Sequence, residues 1–183
     1  MKQLLRFFLL LTVIGTAIGL HSACSDESDC SMAGRPMMYC TLRAVNPDEQ
    51  RVVNDTLDSL TITALGTDSI ILNNEKKVQK LQLPLRYSSD TTVFLFRYDP
   101  VRNPNDVDTL FVFHKNTAYF QSMECGYLMK QSIQGGRFGN RGNTSERIDS
   151  LRFNNNNKEA NSNEIENLQI FFVYRDRTPA PIE

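Results

Sequence analysis

The chain has no tryptophan and only two histidines, His21 and His114. Imidazole is the commonest acid–base group, so chemistry that depends on it has almost nothing to use. A Cys-His nucleophilic pair in the body of the chain would need His114 specifically. Cysteine is also sparse: Cys24, Cys30, Cys40 and Cys125. Four are too few for a disulfide-framework mini-protein, and no C-x-x-C spacing supports a zinc site. Neither sign of charge is in excess, with 20 Lys+Arg against 21 Asp+Glu. That balance excludes a general nucleic-acid binder. A hydrophobic content of 40% excludes a disordered chain. The longest apolar run, Phe7 to Leu20, has 14 residues, short of the roughly 18 that a spanning helix needs.

That run marks a targeting segment rather than a structural element. Lys2 and Arg6 precede it, and no acidic residue occurs before Asp26. His21-Ser22-Ala23-Cys24 follows. Small residues before a cysteine resemble the lipobox of bacterial lipoproteins, although His21 stands where an apolar residue is usual. The resemblance implies cleavage after Ala23 and lipidation of Cys24. Each buried CH₂ of an acyl chain contributes about 0.8 kcal/mol, so two or three chains anchor stably. Ser25-Asp26-Glu27-Ser28-Asp29 then resembles the surface-export signal of Bacteroidota lipoproteins. The expected organisation is a signal peptide at 1–23, an acidic tether at 24–34, one domain at 35–175 and a flexible tail at 176–183. Without residues 1–23 the chain carries 18 Lys+Arg and 21 Asp+Glu, a net charge of −3.

An envelope location outside the inner membrane permits disulfides. With Cys24 acylated, three cysteines allow one bridge and one leftover thiol. Cys30–Cys125 would staple the domain's entry to a turn-like Glu124-Cys125-Gly126, and Cys40–Cys125 competes with it. Cys40 lies in an apolar stretch, Pro36 to Leu42, and reads as a small buried hydrophobe. A loop near 100 residues corresponds to roughly 4–5 kcal/mol in the chain-entropy model.

No long segment has helical periodicity. Short alternating or continuous apolar runs recur between Asn, Asp, Gly and Pro. They predict strands at 36–45, 57–65, 69–73, 77–86, 92–98, 108–115, 117–121, 147–153 and 165–174. Leu81, Leu83 and Leu85 form a period-2 stripe, and Phe94, Phe96 and Tyr98 alternate with Val93, Leu95 and Arg97. The expected fold is all-β, an antiparallel sandwich of immunoglobulin-like type, with a small barrel as the alternative. No helix of about a dozen residues separates the strands, which excludes a βαβ fold. Loops are expected at 99–108, 135–142 and 154–157.

The order of motifs resembles a family of small Bacteroidota lipoproteins classed as a domain of unknown function. Asp29-Cys30 follows the lipobox, then Asp55-Thr56-Leu57, Leu83-Pro84-Leu85, Asp108-Thr109-Leu110, Cys125-Gly126-Tyr127 and a last strand ending Phe171 to Tyr174. The resemblance covers about 30–175. It implies the Cys30–Cys125 pairing, no catalytic residue, and the company of an outer-membrane β-barrel protein. Separately, Asp-Ser/Thr-apolar tripeptides resemble the O-glycosylation sequon of Bacteroidota envelope proteins. The candidates are Thr56, Ser59, Ser69, Thr109 and Ser150. Turn-ending Asp and Ser/Thr before a strand generate the same tripeptide without any sugar.

The remaining chemistry is thin. The oxygens of Asp99, Asn103, Asn105, Asp106 and Asp108 suit calcium in kind but lack EF-hand spacing. His114 reads as a satisfied strand residue. Arg137, Phe138 and Arg141 in the Gly-rich stretch are the candidate partner contacts. No cofactor and no metal is expected. The functional expectation is an outer-membrane-anchored, non-enzymatic binding or accessory subunit at the cell surface or the periplasmic face. A glycan hydrolase with two facing carboxylates is one alternative. A glycan-binding module displaying Tyr98, Tyr119 or Phe138 is the other.

Overall fold

The computed structural model describes residues 36–67, 69–102, 104–141, 148–161 and 163–174, with only the backbone of Asn140 and Arg141. Cys24 and Cys30 lie outside the described residues, and so do the segments expected to be a signal peptide, a tether and a tail. Ten strands and no helix occur among the described residues. They are β1 (Met37–Asn46), β2 (Arg51–Asn54), β3 (Leu60–Ala64), β4 (Ile70–Glu75), β5 (Lys80–Pro84), β6 (Thr91–Tyr98), β7 (Val107–Ser122), β8 (Gly126–Arg141), β9 (Ile148–Phe153) and β10 (Leu168–Phe172).

The strands form two five-stranded sheets, and neither closes into a barrel. The first runs β2-β1-β10-β9, with β5 also on β1. One edge of β1 is shared end to end: β5 pairs with Met37 to Thr41, and β2 with Arg43 to Asn46. β1 and β10 pair in parallel, the one departure from antiparallel pairing among the described strands. The second sheet runs β4-β3-β6-β7-β8, antiparallel throughout.

Alternation explains which faces meet. Phe94, Phe96 and Tyr98 of β6 and Leu110 and Val112 of β7 point inward and are buried. They face Met38, Leu42, Leu81, Leu83, Leu168, Ile170 and Phe172 of the first sheet. Burying each such side chain contributes roughly 1.5–3 kcal/mol. Tyr98 and Phe172 meet edge to face across the core, centroids 6.1 Å apart. The Tyr98 hydroxyl donates to Asp108 Oδ2 at 2.9 Å, and the Ile148 N–H donates to the same oxygen at 2.7 Å. A buried carboxylate therefore ties the start of β7 to β6 and β9.

The expected loop at 135–142 is strand over its described part, 135–141. β8 runs straight through it, paired with β7 from Gly126–Ser122 to Arg141–Val107. The glycines have a packing role. Gly136 faces inward, where an added Cβ would lie 2.4 Å from the Phe111 carbonyl oxygen and 2.9 Å from Phe153 Cζ. Gly135, at φ 147°, sits where the β7–β8 register slips, a bulge that only glycine tolerates easily. The two segments expected at 108–115 and 117–121 are one strand, because Asn116 turns its side chain inward instead of breaking it. β2 was not anticipated, since its polar Arg51-Val52-Val53-Asn54 is exposed edge.

Gly136→Ala is expected to lower stability by about 1–3 kcal/mol, because the clashing backbone oxygen cannot move aside. Gly139→Ala, with open space at its Cβ, is expected to be neutral or slightly stabilising. Paired thermal denaturation of the two variants checks this.

Candidate functional site

β7 and β8 are each 16 residues long, but β6 covers β7 only from Val107 to Phe113. Beyond that point the two strands continue as a ribbon, an arm leaving the sandwich. Register sorts its side chains. Ala118, Phe120, Tyr127 and Met129 continue the inward face, while Tyr119 and Leu128 share the other. Phe120 and Tyr127 stack edge to face at 5.5 Å. The turn presents Met123 and Cys125, whose N–H donates to Ser122 Oγ at 3.0 Å. Cys125 carries no free thiol. Cys40, on the inward face of β1, is free and buried. Burial pushes the Cys40 thiol well above its ordinary range, and the Glu166 carboxylate adds to this, so it is an inert packing residue.

A second feature lies on the outer face of the second sheet, toward the start of β7. Leu65, Leu95, Arg97, Pro104, Asn105, Val107, Thr109 and Phe111 line a groove of about 490 Å³. The Arg137 guanidinium, exposed on β8, sits 4.1 Å from the centre of the Phe111 ring. Arg97 Nη1 donates to Thr63 Oγ1 at 2.7 Å, and Phe113 adds a partly exposed ring on the same face. An arginine held over an aromatic ring is a pre-positioned cation, the kind of group that anchors interfaces.

A larger concavity of about 530 Å³ opens between the sheets, against Cys40, Ile62, Ile71, Leu72, Leu81 and Leu83. Glu164 and Glu166 stand at its rim. Glu166 accepts the Thr41 hydroxyl and, at 2.8 Å, the Gln169 amide. Arg43 lies 3.7 Å away. That carboxylate is committed to holding β1 against β10.

The family model described as "Family of unknown function (DUF6452)" matches residues 59–172, from just before β3 to the end of β10. The chain belongs to that family. No curated protein and no solved structure matches it.

Other residues singled out from the sequence of this DUF6452 chain fall in varied places. Arg137 is exposed as expected, but Phe138 is half-buried and packs on the core. Tyr98 is buried rather than displayed, and Tyr119 is exposed on the arm. Among the glycosylation candidates, Ser69 and Ser150 are exposed, while Thr56, Ser59 and Thr109 are half-buried. The Thr56 N–H bonds Asp55 Oδ1 at 2.8 Å, which is the turn chemistry of that tripeptide. The oxygens of the 99–108 loop diverge. Asp99 pairs with Arg102 at 3.6 Å, Asp108 holds Tyr98 and Ile148, and Asn103 lies outside the described residues.

His114 proves to be the base of the arm. Thr92 Oγ1 accepts the Arg86 N–H at 2.8 Å, leaving its hydroxyl proton to bond His114 Nε2 at 2.8 Å. Nδ1–H then donates to Asn116 Oδ1 at 3.2 Å, and Gln131 Nε2 donates to the same oxygen at 2.9 Å. The Asn116 amide donates to the carbonyls of Arg86, Tyr87 and Ser89. This network suits a neutral imidazole. Burial lowers the His114 pKa from 6.5, against smaller upward effects from Asn116 and Asp90. Sequence reading missed the network because Thr92, Asn116 and Gln131 are ordinary strand polar residues until the fold brings them together.

Since the unfolded chain takes up the proton more readily, this contribution is complete above the unfolded pKa near 6.5 and is lost as pH falls below it. Stability should fall by at most about 1.4 kcal/mol per pH unit in that range. Comparing Tm at pH 7.5 and pH 5.5 for the parent and His114→Gln checks this, with a flatter dependence expected in the variant.

Proposed function

We propose that this chain is an outer-membrane lipoprotein of a Bacteroidota cell, acylated at Cys24. Its sandwich serves as a non-enzymatic binding or accessory subunit for a membrane or surface partner. The lipobox-like His21-Ser22-Ala23-Cys24 supports the anchor, and the acidic tether after it supports display at the surface. The observation that carries the binding role is the Arg137–Phe111 stack beside an outward, half-apolar groove. Phe111 and Arg137 are cross-strand partners whose stacking also steadies the sheet; exposed Leu65 and Phe113 beside them extend the pair into an apolar patch with a cation at its edge. A protein partner, such as a β-barrel neighbour in the same membrane, would bury that stack as an anchor. A second reading, glycan binding, rests on the exposed ring of Phe113 on the same face.

Cys30 is assigned to Cys125 on three supports. Cys125 is not free, whereas Cys40 is. Met37 bridges Asn161, and Glu159 bridges Ser132, so β1 starts beside the base of the arm. The seven residues from Met37 back to Cys30 can span about 24 Å, and the seven from Ser132 to Cys125 rise by about the same. The chain before β1 is thus long enough to bring Cys30 to the turn.

Cys24→Ala is expected to move the protein from the membrane pellet to the soluble fraction; unchanged pelleting contradicts the anchor. Cross-linked pulldown from membranes should recover one dominant protein. Arg137→Ala should reduce that recovery about tenfold or more, as truncating an interfacial arginine costs roughly 2 kcal/mol. A yield insensitive to Arg137→Ala would remove the groove from the interface.

A further inference from the structure

We infer that the tip of the β7–β8 arm is a lipid-contacting element, resting in the headgroup region of the membrane that holds the anchor. The inference rests on the anchored reading above and on the Cys30–Cys125 assignment. Met123 is 91% exposed, Tyr127 76% and Phe120 52%. They cluster at one end of a ribbon that no other described strand flanks. Water is a poor solvent for such a cluster, and the folded sandwich offers it no cover. Glu124 is the one charged residue from Asn116 to Met129, and Lys130, further down the ribbon, pairs with Glu159 at 2.8 Å.

The length of the tether selects the occupant. Six residue steps separate Cys24 from Cys30, a reach of at most about 20 Å. With Cys30 bonded at the turn, the tip cannot withdraw further than that from the acylated glycerol. The membrane is therefore present at high effective concentration beside these side chains and beside no other part of the domain. The residue types fit, since tyrosine and methionine-rich apolar edges suit the boundary between headgroups and acyl chains. The arm then acts as a stand-off. Thirteen residue steps of β7 separate Ser122 from Thr109 in the groove, about 44 Å at strand rise, which holds the Arg137–Phe111 face clear of the headgroups.

The absence of tryptophan makes the test clean. Met123→Trp and, at the opposite end of β7, Val101→Trp (83% exposed) are purified as acylated full-length lipoproteins. They are reconstituted into phosphatidylcholine–phosphatidylethanolamine vesicles carrying brominated acyl chains. An element seated about 5–10 Å into the interface should give blue-shifted Met123→Trp emission, quenched about threefold more than that of Val101→Trp. Vesicle-bound protein with both reporters unquenched overturns the inference. So does a Met123→Trp shift that appears without lipid and grows with protein concentration, which would place a second copy on the tip. Failure of both variants to float with vesicles would instead overturn the anchor reading, and this inference with it.

Discussion

Everything in this molecule depends on the unequal pairing of one strand. β7 has β8 beside it along its full length, but β6 covers only its first half. The covered half is a sandwich strand whose inward residues complete the core. The uncovered half is a two-stranded ribbon, which alone in water is marginally stable. The structure compensates at the ribbon's base, where Thr92, His114, Asn116 and Gln131 lock three carbonyls of the 86–89 turn. On the Cys30–Cys125 assignment proposed here, the tether holds its far end.

The same unequal pairing separates two surfaces. At one end of β7 lie the groove and the Arg137–Phe111 stack; at the other lie Phe120, Met123 and Tyr127. A rigid strand between them fixes their distance. On the reading proposed here, one end faces lipid and the other faces a partner, so the domain is suited to spacing and presentation. The folded body supplies rigidity through the Tyr98–Phe172 contact and the buried Asp108.

Much of the sandwich was legible in the sequence because period-2 alternation reports burial directly. Leu81, Leu83 and Leu85, and likewise Phe94, Phe96 and Tyr98, are buried as their spacing indicates. The arm was not legible, for two physical reasons. Gly135 and Gly136 read as a loop, but they accommodate a bulge and the Phe153 ring. Asn116 read as a break between strands, but its side chain bonds three carbonyls inward. A signal for β8 was present all the same: Met129, Gln131 and Ile133 alternate with Leu128, Lys130 and Ser132. The parallel β1–β10 pair and the Arg137–Phe111 stack are long-range facts, set by topology and register, with no local trace. Arg137 itself was picked out by composition, for a loop that is in fact a strand.

The central claim is that the arm's turn is bonded to the tether through Cys30. Peptide mapping of the membrane-purified protein under non-reducing conditions tests it most directly. The account predicts a linked peptide joining Cys30 to Cys125, with Cys40 a free thiol that alkylates only after unfolding. A linked Cys40–Cys125 or Cys24–Cys125 peptide would contradict it.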